Sequence, residues 1–171
     1  MRLCDKHQGD YSEPRADIHA ARRYNETRYV KLERTVMAPI KINHIAVVVE
    51  DVTTALNFWQ TALGLPLQHV EHNEGEEVDI AFLPVGEGEI ELIAPFTETS
   101  GVAKYLAKKG AGLHHLCLEV EDIEAAFAQI KRAGAELITE TPKTRPDGTR
   151  YGFVHPKSTG GVLLELYQTA K

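Results

Sequence analysis

The feature that most constrains this chain is that it matches itself. Displaced by 71 residues, His44-Ile45-Ala46-Val47-Val48-Val49-Glu50-Asp51-Val52 falls on His115-Leu116-Cys117-Leu118-Glu119-Val120-Glu121-Asp122-Ile123. The histidine, the Glu-Asp pair and the following aliphatic are all in register, the signature of an internal duplication. After each copy the apolar period changes to that of a helix. Leu56, Trp59 and Leu63 precede Gly64 in the first, and Ile123, Phe127 and Ile130 precede Gly134 in the second. Asp51 and Asp122 stand where N-caps belong. Strand-like runs follow at 67–70, 78–83 and 89–94, and again at 136–138, 150–154 and 162–167, separated by Gly86-Glu87-Gly88, Pro146-Asp147-Gly148 and Gly160-Gly161. Each copy reads strand–helix–strand–strand–strand. Halves of about 55 residues are marginal alone. The expected fold is therefore one α+β domain of tandem βαβββ modules sharing one core, with module 1 near 41–95 and module 2 near 112–168. A connecting helix is expected near 100–110.

Composition limits what such a domain does. No apolar run is long enough for a membrane span. The net charge of −6 is wrong for a nucleic-acid partner. Two cysteines, Cys4 and Cys117, give no disulfide framework and fit a reducing, cytoplasmic setting. The charge is divided unevenly: residues 1–36 carry +2 and residues 37–171 carry −8. The first segment lacks an amphipathic period, an apolar signal core and the acid-poor composition of a mitochondrial presequence. It is expected to be a disordered extension before Met37, with the folded domain over 37–171.

The duplication places polar groups at equivalent points. His44 and His115 lie in the first strands. Glu91 and Glu165 interrupt apolar last strands, where a carboxylate is costly unless paired, hydrogen-bonded or bound to metal. Each alone reads as a structural residue. Together, two imidazoles and two carboxylates at matched positions form a donor set suited to Zn, Co, Mn, Ni or Fe(II). The phase of the strand aims His114 away from His115. His69 and His72 read as solvated loop residues, His155 as a loop residue placed to meet a ligand, and Cys117 as core. Lys143, Arg145, Arg150 and Lys157 form a basic stretch, either solvated or placed to attract a phosphorylated substrate.

The duplicated module, with His near its start and Glu near its end, resembles the vicinal oxygen chelate (glyoxalase/bleomycin resistance/dioxygenase) superfamily. Longer matches resemble its methylmalonyl-CoA epimerases. These are Asn43-His44-Ile45-Ala46, the run from Ala94-Pro95-Phe96 through Val102-Ala103-Lys104-Tyr105-Leu106, Gly112-Leu113-His114-His115, and His155-Pro156-Lys157 leading to Gly161-Val162-Leu163-Leu164-Glu165-Leu166. Together they span about residues 41–168. The resemblance implies one divalent metal per chain, Co2+ first with Mn2+, Zn2+ or Ni2+ as alternatives, held by His44, Glu91, His115 and Glu165. It also implies an acyl-CoA substrate and a homodimer. The implied reaction is a 1,1-proton transfer between two bases: Glu165 and a third-strand carboxylate, which falls at Asp79 with Glu77 as the alternative. Epimerases of this kind often carry Gln where Glu91 stands. Glutamate there is typical of glyoxalase I, which makes a lactoylglutathione lyase the first rival. An extradiol-type dioxygenase and a non-catalytic ligand-binding protein are the others.

Overall fold

Alternating burial organises the first strand: in β1 (Lys41–Val48), His44, Ala46 and Val48 turn inward. The structure is a computed structural model and describes residues 38–170, so the expected disordered extension lies outside the described residues. The elements that follow are α1 (Val52–Leu56), which runs into a π-helical turn (Asn57–Ala62), then β2 (His69–Asn73), β3 (Val78–Val85), β4 (Gly88–Pro95) and α2 (Gly101–Lys109). The second half contributes β5 (Gly112–Glu119), α3 (Ile123–Arg132), β6 (Lys143–Thr144), β7 (Arg150–Val154), a 3-10 turn (Pro156–Ser158) and β8 (Leu163–Gln168). All eight strands form one sheet in the order β2-β3-β4-β1-β5-β8-β7-β6. That order reads the same from either edge once each strand is exchanged for its repeat partner. The antiparallel pair β1–β5 is the seam between the halves. Each first strand also pairs in parallel with the last strand of its own module, β1 with β4 and β5 with β8.

Helices α1 and α3 cover one face of the sheet. Asp51 accepts from the Thr54 amide and Asp122 from the Ala125 amide, so both expected caps form. Val52 and Leu56 of α1, with Trp59, pack on Ala81, Leu83, Leu92 and Ala94. Ile123 and Phe127 of α3 pack with Val120, Leu137, Val154 and Leu166. A smaller cluster, Ala46, Val78, Ile80 and Ile93, occupies the opposite, inner face. The single shared core expected from the small size of the halves is thus replaced by one core under each helix. The halves are joined by the backbone ladder of β1–β5.

Three local expectations give way. The first helix does not keep an α period through Leu63. The Leu63 amide bonds five residues back to Phe58, and this π step leaves Leu63 53% exposed. Residues 136–138 form no strand, only a bridge between Leu137 and Val154, and the ladder resumes at β6. Pro142 and Pro146 flank that two-residue strand and deny it donors on both sides. His69 and His72 belong to β2 rather than a loop, stacked on Phe82 and Phe96 with ring centroids 4.4 and 4.1 Å apart.

Gly152 on β7 lets α3 approach the sheet, because a Cβ there would lie 2.5 Å from Phe127 Cζ. Gly152→Ala is expected to lower stability by about 1–3 kcal/mol through overpacking. Urea denaturation measures this, and an unchanged midpoint would mean that the Phe127 ring swings clear.

Candidate functional site

The seam brings the first-strand histidines together. His44 and His115 come from neighbouring antiparallel strands, with Ala46 opposite His115 and Cys117 opposite His44. Their Nε2 atoms are 3.0 Å apart, and Glu165 Oε2 on β8 lies 3.1 Å from the first and 3.0 Å from the second. Glu91 on β4 completes the group, its Oε1 3.3 Å from His44 Nδ1. All four side chains are buried. Bare imidazole nitrogens this close repel unless a proton or a cation lies between them. His44, His115 and Glu165 bring three donor atoms within 3.0–3.1 Å of one another, and Glu91 lies on the Nδ1 side of His44. Two imidazoles and two carboxylates are the donor chemistry of a divalent metal, which these four residues would hold.

Two bulges orient the imidazoles. The β1–β5 register skips Asn43 on one strand and His114 on the other, the same repeat position in each half. Asn43 Oδ1 accepts from His44 Nδ1 at 3.0 Å, which turns His44 Nε2 toward the centre. Asn43 is itself held by Glu119, to which it donates at 3.0 Å, and Glu119 pairs with Lys41 at 3.3 Å. In the other half His114 Nδ1 lies 2.9 Å from His115 Nδ1. Strand alternation aimed His114 away from the site; the bulge breaks that alternation and puts it in the cavity wall. Burial, with His115 alongside, lowers its pKa to about 4, so His114 stays neutral.

The two carboxylates titrate in opposite directions. Burial raises Glu91 from an ordinary 4.5 to about 7, with His44 opposing and Glu165 reinforcing the rise. Burial pushes Glu165 the same way, but hydrogen bonds from His115 and His44 overcome it and hold Glu165 at about 2. Cys117 lies beneath this group, where burial and the neighbouring carboxylates push its thiol upward and keep it protonated.

A cavity of about 100 Å3 opens onto the donor set, walled by Val78, Ile80, Ile93, Val102 and Phe153, with Asn73, Glu76, Arg145 and Tyr151 as its remaining polar lining. Asp79 does not reach it. Val78 and Ile80 turn inward on β3, so Asp79 points to the other face, where its carboxylate meets His72 Nδ1 at 2.6 Å. Glu77 turns away as well and accepts from the Thr99 hydroxyl at 3.0 Å. The carboxylate on the cavity side is Glu76. Glu76 lies in the turn before β3, and Glu77 after it has a positive φ, so strand alternation gave no signal for it. Elsewhere His155 caps the 3-10 turn by accepting from the Lys157 amide, and Arg150 pairs with Glu124. Of the basic stretch, only Arg145 lines this cavity.

A pH dependence follows for the protein stripped of metal. Glu91 is raised above its unfolded value, so its contribution to stability is complete below about 4.5 and is lost as pH rises through about 7. His44, raised above its ordinary 6.5 because the neighbouring carboxylates outweigh its burial, acts in the same direction. Glu165 is lowered, so its contribution is already complete in this window. Chelator-treated protein should therefore lose stability between pH 5 and 8, by about 3 kcal/mol from Glu91. Saturating Co2+ should reverse the slope, since it binds the deprotonated ligands. Urea midpoints that stay flat or rise in the stripped protein would contradict this.

Comparison with known proteins places the chain in a family. A family model described as the Glyoxalase/Bleomycin resistance protein/Dioxygenase superfamily matches residues 43–153. The mitochondrial methylmalonyl-CoA epimerase of Homo sapiens is 34% identical over 129 residues, covering 75% of this chain and 73% of the human protein. An ethylmalonyl-CoA/methylmalonyl-CoA epimerase of Cereibacter sphaeroides is 36% identical over 130 residues, covering 75% of this chain and 97% of that protein. A solved methylmalonyl-CoA epimerase in complex with methylmalonyl-CoA and NH4+ superposes with a TM-score of 0.71 at 32% identity, over 78% of this chain and 96% of that one. The chain belongs to the methylmalonyl-CoA epimerase family of the glyoxalase/bleomycin resistance/dioxygenase superfamily.

Proposed function

We propose that this chain interconverts (R)- and (S)-methylmalonyl-CoA by a 1,1-proton transfer, with Glu165 and Glu76 as its two bases and residues 37–171 as the catalytic domain. The observation that carries the reading is one small cavity holding a buried two-His, two-Glu donor set and, at its mouth, a further carboxylate on a turn. A divalent cation held by His44, Glu91, His115 and Glu165 would supply positive charge against the negative charge that develops on the thioester oxygen. Glu165 lines the cavity as a carboxylate and would accept the α-proton on one face. Glu76, with the Tyr151 hydroxyl 3.5 Å from its Oε1, serves the other face. The apolar walls from Val78, Ile80, Ile93 and Phe153 keep water from quenching the carbanion.

Co2+ is the metal we propose for this set of two imidazoles and two carboxylates. Buried, unpaired Cys117 supports a reducing cytoplasmic setting. Among the described residues no helix is long and apolar enough to cross a membrane. A homodimer is proposed on exposed apolar side chains, Ile40 and Ile42 on one strand end and Phe58 and Leu63 on the first helix. Light scattering at micromolar concentration tests it, and a monomeric mass removes it.

The proton transfer is tested in D2O with single enantiomers of methylmalonyl-CoA. Metal-loaded wild type should place deuterium at the α-carbon of both. Glu165→Gln and Glu76→Gln should each lower epimerisation about 10²–10⁴-fold, and each should retain proton exchange from only one enantiomer. Full epimerisation by Glu76→Gln would remove it as the second base. A wild type inert here but active on methylglyoxal with glutathione would be a lyase instead.

A further inference from the structure

Arg145 is a cation that the proton-transfer scheme leaves without a task. It is half-buried and lines the cavity with the four donors and Glu76. Among the described residues it forms no ion pair within 4 Å, although Arg150 and Lys131 both find carboxylates. A guanidinium cannot shed its charge, so withdrawing it from water without an anion partner is unfavourable.

The surrounding structure holds Arg145 in place. Its amide donates to the Thr149 carbonyl at 2.8 Å, and its own carbonyl accepts from Gly148 at 3.0 Å. Asp147 braces the same turn by accepting from the Thr149 amide at 2.9 Å. The guanidinium carbon lies 5.0 Å from the Tyr151 ring centroid and 5.8 Å from that of Tyr167. Ring contacts of this kind hold a guanidinium without using up its N–H donors.

The chemistry of the space selects the anion. The cavity of about 100 Å3 opens directly onto the donor set and Glu76, so an anion held at Arg145 inside it sits beside the reacting groups. The wider cleft of about 680 Å3 outside, which Arg145 also borders, is lined by Glu71, Glu74, Glu76 and Asp147 and repels phosphates. A planar carboxylate is the anion whose two oxygens match a guanidinium edge.

We propose that Arg145 binds the substrate's free carboxylate and thereby selects acyl-CoA thioesters that carry a carboxyl group on the α-carbon. The inference rests on the epimerase reading and adds a specificity-determining residue to it. With the carboxylate held at Arg145 and the thioester oxygen turned to the donor set, the acyl head has two anchor points and one orientation.

The test is calorimetric titration of metal-loaded protein with methylmalonyl-CoA and with propionyl-CoA, which lacks the carboxylate. Arg145→Gln should weaken methylmalonyl-CoA binding about 10–100-fold and change propionyl-CoA binding less than about twofold. Arg145→Lys, which keeps charge but not the fork, should fall between, and in both variants KM should rise more than kcat falls. Equal weakening of both thioesters would reveal a structural role and overturn the proposal, as would unchanged binding of both. A wild type that epimerises while Arg145→Gln binds normally removes this inference alone. A wild type that prefers methylmalonyl-CoA through Arg145 but exchanges no α-proton removes the epimerase reading and leaves the carboxylate site standing.

Discussion

Everything in this protein depends on the antiparallel pairing of β1 with β5. A one-residue slip in that ladder would turn every inward side chain outward, moving His44 and His115 to the opposite face. In the register that forms, the two imidazoles meet at Nε2, and the parallel neighbours β4 and β8 deliver Glu91 and Glu165 to the same point. The helices and their apolar cores lie on the other side of the sheet, one for each half. Folding energy and chemistry are thus divided between the two faces: hydrophobic burial holds each half, and the seam builds the site.

The site is electrostatically strained without a cation. Two carboxylates and two imidazoles are buried within ligand distance of one another, and the chain can relieve this only by protonation. Glu91 takes up a proton near neutral pH, while Glu165 keeps its charge through bonds to both histidines. A divalent ion would remove the conflict by neutralising both. The two glutamates are thus unequal in the metal-free site: Glu165 keeps its charge and Glu91 is the one that takes up a proton.

How much of this was legible in the sequence follows from which forces are local. The duplication, both N-caps, the glycines ending the two helices and the four donors could be read because each depends on residue type and spacing. Gly64 and Gly134 indeed have positive φ where their helices stop. What could not be read depends on departures from regular period. The bulges at Asn43 and His114 shift one residue out of the ladder, so alternation placed His114 on the wrong face. The π step after Leu56 does the same to Leu63. The second carboxylate was sought on β3, at Asp79, but Glu76 reaches the cavity from a turn, where no strand rule applies. Arg145 was visible only as one of several basic residues, because its rings come from Tyr151 and Tyr167 on different strands.

The central claim is that donors from the two halves converge on a single cation. Titration of the chelator-treated protein with Co2+, followed by its visible d–d absorption, tests this most directly. The account predicts one equivalent per chain, with binding lost on replacing either His44 or His115 by Ala. Two equivalents per chain, or tight binding that survives loss of the histidine from one half, would contradict it.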